Sequence, residues 1–268
     1  MPAIDRSRLK TQTARLADKF GEPALFVHEL DELLDHYTNR TIRTTQFLQR
    51  RSLPTYRTPR PVLRLIESEL SALAETRPVE AVALTSALWE ATTLEARLLA
   101  ACLLGAIPPT QAMSALTRLP DWLGQSVDKE IRQALLTDAL ARLRVENPEA
   151  FFLLLEDWLK SPRSELQVWG FQALMPLLDQ PGFENLPAVF RILQPAIESA
   201  GPATQLDLQA CLAGLGRLSP TETLVFLRGF ISGDSDPQML RFLRRILLAL
   251  PEEVQSGLRA ALRTAGSP

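Results

Sequence analysis

Proline punctuation constrains this chain more than any other feature. Helix starts fall near Pro78, Pro109, Pro148, Asn185, Pro220 and Pro251, in steps of roughly 31 to 39 residues. Proline suits the first helical turn, because its φ is already set and the missing N–H has no intrahelical partner there. Each step holds two segments in which apolar residues recur with a 3.6-residue period, and no convincing alternating strand intervenes. An internal echo supports the repeat. Ala101-Cys-Leu-Leu-Gly105 and Ala210-Cys-Leu-Ala-Gly214 each lie late in a helix, 109 residues apart, about three steps of 36. Self-similarity at this period marks stacked helical hairpins, each unable to bury its apolar face alone. The expected fold class is all-α, an α-solenoid of HEAT-like hairpin repeats.

The segment before Pro78 is less regular. It predicts a short helix over 10–20, a helix from Pro23 to about Tyr37, a third over 40–51, and a fourth from about Arg60 to Glu75. With no composition break or long linker, one continuous domain over 1–268 is expected: N-terminal helices to residue 77, stacked pairs over 78–264, and a frayed tail at 265–268. Capping boxes are read at Thr92-x-x-Glu95, Ser219-Pro-x-Glu222 and Ser235-x-Pro-Gln238. The stretch Leu119–Lys160 reads as a long helix opened by Asp128, a turn at Pro148 and a second, apolar helix.

Composition bounds the partners. Lys and Arg number 29 against 31 Asp and Glu, a net charge of −2, so any nucleic-acid role rests on a local basic face. Such a face is expected from Arg40, Arg43, Arg50, Arg51, Arg57, Arg60 and Arg64, with no acid until Glu67. Its alternative is a solvated surface balanced by Glu29, Asp31, Glu32 and Asp35. A second basic cluster is Arg241, Arg244 and Arg245. A curved solenoid would gather both clusters into one trough fit for phosphates. Cys102 and Cys211 lie in apolar helical runs and read as core thiols of a reducing compartment. Asp5, Arg6, Arg8 and Lys10 precede any apolar run, and the run over 98–107 is too short to span a bilayer, so a cytoplasmic protein with no membrane partner is expected.

Few residues carry recognisable chemistry. His28, Glu32 and His36 share one helical face, yet no further histidine exists to complete a site. There is no HExxH, phosphate-cradling glycine loop or CxxC pair, so no metal and no cofactor is expected. Asp128 is the acid of most interest, at a helix N-terminus whose field favours a carboxylate. Three of the four tryptophans read as core anchors; Trp122, beside a turn, reads as partly exposed.

Three stretches together resemble the AlkD-like alkylpurine DNA glycosylases, which are built from HEAT-like repeats. They are Tyr56-Arg-Thr-Pro-Arg-Pro-Val-Leu-Arg64; Leu88-Trp-Glu90 with Glu95-Ala-Arg97; and Trp122 to Asp128, ending Ser-Val-Asp. The resemblance implies duplex DNA held on a basic surface and excision of cationic N-alkylated purines. It casts Asp128 as the acid that stabilises the positive sugar, and Trp122 as an aromatic against the lesion. The chain departs from the family pattern at Gly124, at Val168 and over Ala213–Arg217, leaving the catalytic constellation incomplete. The alternative is a non-enzymatic scaffold whose stacked helices bind a protein partner.

Overall fold

The computed structural model describes residues 5–38, 53–231 and 237–264. Their regular structure is all helical. The sequence-derived helix over 40–51, with Arg40, Arg43, Arg50 and Arg51, lies outside the described residues, as does Ser235 of the third capping box. All six punctuation points hold. Pro78, Pro109, Pro148 and Pro220 are the first residues of helices, Leu186 follows Asn185, and Glu252 follows Pro251.

Contacts gather into two compact units, Met1–Pro148 and Glu149–Pro268. The boundary carries no linker. It falls at the proline that opens a helix one residue after Asn147, so composition gives no sign of it.

The first unit contains α1 (Arg6–Ala17), α2 (Pro23–His36), α3 (Arg60–Thr76), α4 (Pro78–Glu90), α5 (Leu94–Ala106), α6 (Pro109–Leu116), α7 (Leu119–Gln125), α8 (Lys129–Thr137) and α9 (Ala141–Glu146). Alternate helices pack side by side. One layer runs α1–α3–α5–α8 and the other α2–α4–α6. Packing of helix i on helix i+2 is what stacked hairpins require, since each hairpin's apolar face is covered by the next. The second unit holds α10 (Pro148–Leu159), α11 (Ser164–Leu178), α12 (Leu186–Glu198), α13 (Gln205–Leu218), α14 (Pro220–Arg228), α15 (Pro237–Ile246), a 3-10 turn over Leu247–Ala249, and α16 (Glu252–Thr264). Here α11 packs on α13 and α14 on α16, with α13 against α14. Both units thus have the hairpin stacking of an α-solenoid.

The long helix expected after Asp128 is broken. α8 stops at Thr137 and α9 begins at Ala141. The cause is α5, which passes so close that a Cβ on Gly105 would lie 1.8 Å from the Asp138 carbonyl oxygen. A continuous helix cannot be drawn that near another with side chains between them. The chain turns instead, with the Ala139 amide donating to the Ala134 carbonyl at 3.1 Å and the Ala141 amide to the Asp138 carbonyl at 3.1 Å. Arg144 donates to the freed Thr137 carbonyl (3.1 Å). Arg142, half-buried, ties α9 back by donating to the Ala106 carbonyl at the end of α5 (2.7 Å) and pairing with Glu75 of α3.

Gly105 therefore sits where its echo, Gly214, does not. A Cβ on Gly214 meets only side chains, Leu178 at 3.2 Å and the end of Arg217 at 3.8 Å. Replacing Gly105 with Ala is expected to destabilise the chain by about 1–3 kcal/mol, because backbone must move. Gly201→Ala, with open space around it, is expected to stay within about 0.5 kcal/mol of wild type. Urea denaturation of the two variants checks this; equal stability would remove the close approach as the cause of the break.

Candidate functional site

The three stretches that carry the family resemblance come together in the first unit. Trp122 is 1% exposed and its indole stacks on that of Trp89, with centroids 4.6 Å apart and planes 13° from parallel. The expectation of a partly exposed Trp122 is corrected. α7 is a single short helix that turns its tryptophan inward onto α4, and nothing local in the sequence marks that contact. Arg97 lies over the Trp89 ring (4.8 Å to the centroid) and Arg118 over Trp122 (5.4 Å), while Trp89 Nε1 donates to Gln125 Oε1 (3.4 Å). Burying a ring of this size removes enough apolar surface to contribute roughly 4–6 kcal/mol, an upper bound, and the stacked pair adds about 0.5–1.5 kcal/mol. All four tryptophans are core residues, Trp158 and Trp169 at 4% and 6% exposure.

Glu95 departs from its expected capping role. It is buried, and its Oε1 accepts from the Thr55 hydroxyl (2.7 Å) and the Thr58 amide (3.4 Å), clamping the strap over 53–59 onto the start of α5. The Leu94 amide adds a bond to the Pro54 carbonyl (2.9 Å). Within this strap Arg57 adopts φ +53°, a region few side chains favour, with its amide bonded to the Thr55 hydroxyl (3.1 Å). Tyr56 hydrogen-bonds Asp31 of α2, whose carboxyl is pushed above its usual range chiefly by burial. The expected box at Ser219 and Glu222 does form a side-chain contact, but between the two side chains themselves, not with the backbone.

Asp128 caps α8 as the sequence suggests, accepting from the Glu130 amide at 2.9 Å. It also borders an open cleft of about 750 Å³ along the α3–α5–α8 layer. Around that cleft stand four carboxylates, Glu67, Asp128, Glu130 and Asp138, against two cations, Arg60 and Lys129; Leu98 and the exposed Val127 supply apolar surface. Arg60 spends its charge on Glu130, at 3.2 Å. Burial holds the Glu67 carboxyl above its usual range, with Arg60 opposing and Asp138 reinforcing. Burial also pushes the half-buried Cys102 thiol up to about 12, helped by Glu67 and Asp138, so it stays protonated and unreactive at neutral pH. Cys211 is fully buried and shifted the same way.

The expected basic residues divide between the units. Arg57, Arg60 and Arg64 are exposed in the first. Arg241, Arg244 and Arg245 are exposed on α15 in the second, where Arg245 bonds Gln205. On α2, His28 Nε2 lies 3.5 Å from Glu32 Oε1, both in solvent, and His36 borders a separate hollow with Glu29 and Glu32. Among the described residues no three His, Cys, Asp or Glu side chains group as metal ligands, and no helix is long and apolar enough to cross a membrane. The acidic lining of the cleft escaped the sequence reading. Glu67 and Asp138 are 71 residues apart and meet only because α3 and α8 flank α5.

The upward shift of Glu67 has a defined sign. Its protonated form is favoured by the fold, so its contribution to stability is present at low pH and is lost as pH rises through its folded-state value. Glu67→Gln is therefore expected to be more stable than wild type at pH 7, with the gap closing as pH falls through the ordinary carboxyl range. Thermal melts across pH measure this; a Gln variant that is less stable at neutral pH would contradict it.

No family model matches the chain, and no curated protein matches it. Among solved structures it is similar to smu.31 from Streptococcus mutans UA159, at 13% identity and a TM-score of 0.50, over 75% of this chain and 96% of that one. An engineered protein aligns at 16% identity with a TM-score of 0.34, over 88% of this chain and 98% of that one. At such identity the first likeness speaks to the helical fold alone, and the second carries no argument.

Proposed function

We propose that the chain is a non-enzymatic recognition scaffold, whose first unit accepts a cationic segment of a protein partner in the cleft beside Asp128. The observation that carries this reading is the lining itself: Glu67, Asp128, Glu130 and Asp138 outnumber Arg60 and Lys129. Such a field draws in lysine or arginine and repels a phosphate backbone. Leu98 and Val127 give the aliphatic stem of such a side chain a surface to lie on. The stacked hairpins supply a rigid frame and demand no chemistry of their own.

The resemblance to the alkylpurine glycosylases supports a second reading, duplex DNA binding with base excision. One observation favours it: Asp128 borders an open cleft, where a carboxylate would stabilise a cationic sugar as the base departs. The aromatic partner in that scheme is Trp122, whose ring is enclosed between Trp89 and Arg118. With no ring presented beside Asp128 by Trp122, the scaffold is the better supported of the two.

Two measurements separate the readings. A fluorescent lysine- and arginine-containing peptide is expected to bind wild type, and Asp128→Asn with Asp138→Asn to weaken it roughly 5–30-fold, two partly exposed ion pairs being worth about 0.5–1 kcal/mol each. Asn preserves the cap at 128, so folding is retained. Equal binding of a charge-neutral analogue would sink the proposal. With methylated duplex DNA, wild type and Asp128→Asn are both expected to release no alkylated base above background. Release by wild type that Asp128→Asn abolishes would establish the glycosylase instead.

A further inference from the structure

The second unit carries a feature that neither reading uses. Between α15, the 3-10 turn after it and α16 lies a hollow of about 340 Å³, lined by Arg244, Leu247, Arg259, Leu262 and Arg263. The three arginines are exposed, Leu262 is buried and Leu247 half-buried, giving an apolar floor inside a cationic rim. The next residue, Leu248, projects into solvent at 84% exposure, the largest among the exposed big apolar side chains of the described residues. Arg241 and Arg245 extend the positive charge along α15. From 237 to 264 there are five arginines and two acids, Glu252 and Glu253, both at the opposite end of α16 from Arg259 and Arg263. Among the described residues no ion pair engages Arg241, Arg244 or Arg259.

This composition discriminates between ligands. A phosphate backbone uses the guanidinium groups and gains nothing from leucines, while an apolar peptide uses the leucines and gains nothing from the charge of Arg244 and Arg259. An amphiphile with an anionic head uses both. The apolar face of α15 is spent on the core, since Phe242, Leu243 and Ile246 are buried. Contact therefore falls to Leu247, which lines the hollow with the arginines, and to Leu248, next to it in the turn.

We propose that this end of the second unit docks on an anionic phospholipid surface, with lipid phosphates on Arg244 and Arg259 and Leu248 entering the acyl boundary. Interfacial binding combines such apolar burial with attraction to anionic lipid. The sequence expectation of no membrane partner rested on the lack of a spanning segment, which peripheral docking does not need. The proposal is independent of the cleft in the first unit.

Co-sedimentation of the full chain with vesicles tests it. Wild type is expected on vesicles of equal phosphatidylcholine and phosphatidylglycerol and absent from pure phosphatidylcholine. Each arginine neutralised in Arg244→Gln/Arg259→Gln is expected to lower partitioning about fivefold. Arg6→Gln/Lys10→Gln, which removes equal charge from exposed positions of the first unit, is expected to bind like wild type. Leu248→Ser, which removes the apolar side chain without adding charge, is expected to weaken vesicle binding and to leave any binding of soluble glycerol phosphate unchanged. All replaced side chains are exposed, and unchanged thermal melts verify folding. The proposal is overturned if wild type ignores the mixed vesicles, or if Arg6→Gln/Lys10→Gln loses as much as the α15–α16 variant. It is overturned equally if Leu248→Ser binds vesicles as wild type does, which would leave a site for phosphate alone. Binding of a short DNA duplex in place of vesicles would assign the arginines to nucleic acid.

Discussion

The first unit depends on the burial of α5. Helices α3, α4, α8 and α9 all pack against it, and nine of its thirteen residues are buried. A helix enclosed on this many sides is apolar nearly all round, which is why the run over 98–107 looks hydrophobic without being a membrane span. Its few polar or small residues each solve a local problem. Glu95 fixes the strap at one end, Arg97 covers Trp89, and Gly105 lets the α8–α9 turn approach at the other. The cleft inherits its geometry from this helix. Leu98 forms part of its wall, while Glu67 and Asp138 are held on either side by α3 and the α8–α9 turn.

Seen from α5, the residues that carry the family resemblance are joints of a helical stack. Trp89 and Trp122 lock α4 to α7, Glu95 holds the segment that leads into α3, and Arg60 reaches α8 through Glu130. Joints of this kind constrain residue order and spacing without requiring any reaction. Asp128 fits this account as well, since its first duty is to satisfy an amide at the start of α8.

Helices and their starts were legible because they are local: proline at the first turn and 3.6-residue periodicity act within a few residues. Pro78, Pro109, Pro148 and Pro220 needed no tertiary information. What could not be read depends on distant contacts. The break at Asp138 comes from Gly105, 33 residues earlier in the chain. Glu95 obeys the spacing of a capping box, yet its carboxylate bonds Thr55 and Thr58 across about 40 residues, because burial at the layer interface outweighs a local bond. The surroundings of Asp128 were equally hidden. Its nearest charged neighbours in sequence, Lys129 and Glu130, nearly balance, and only the fold adds Glu67 and Asp138.

The tryptophans are shared evenly, Trp89 and Trp122 in the first unit and Trp158 and Trp169 in the second. The first two are close and parallel enough for their excited states to couple, whereas no such stack joins the other two among the described residues. The chain therefore contains its own optical label for one half. Dichroism from the coupled indoles reports the α4–α7 contact, with no dye attached.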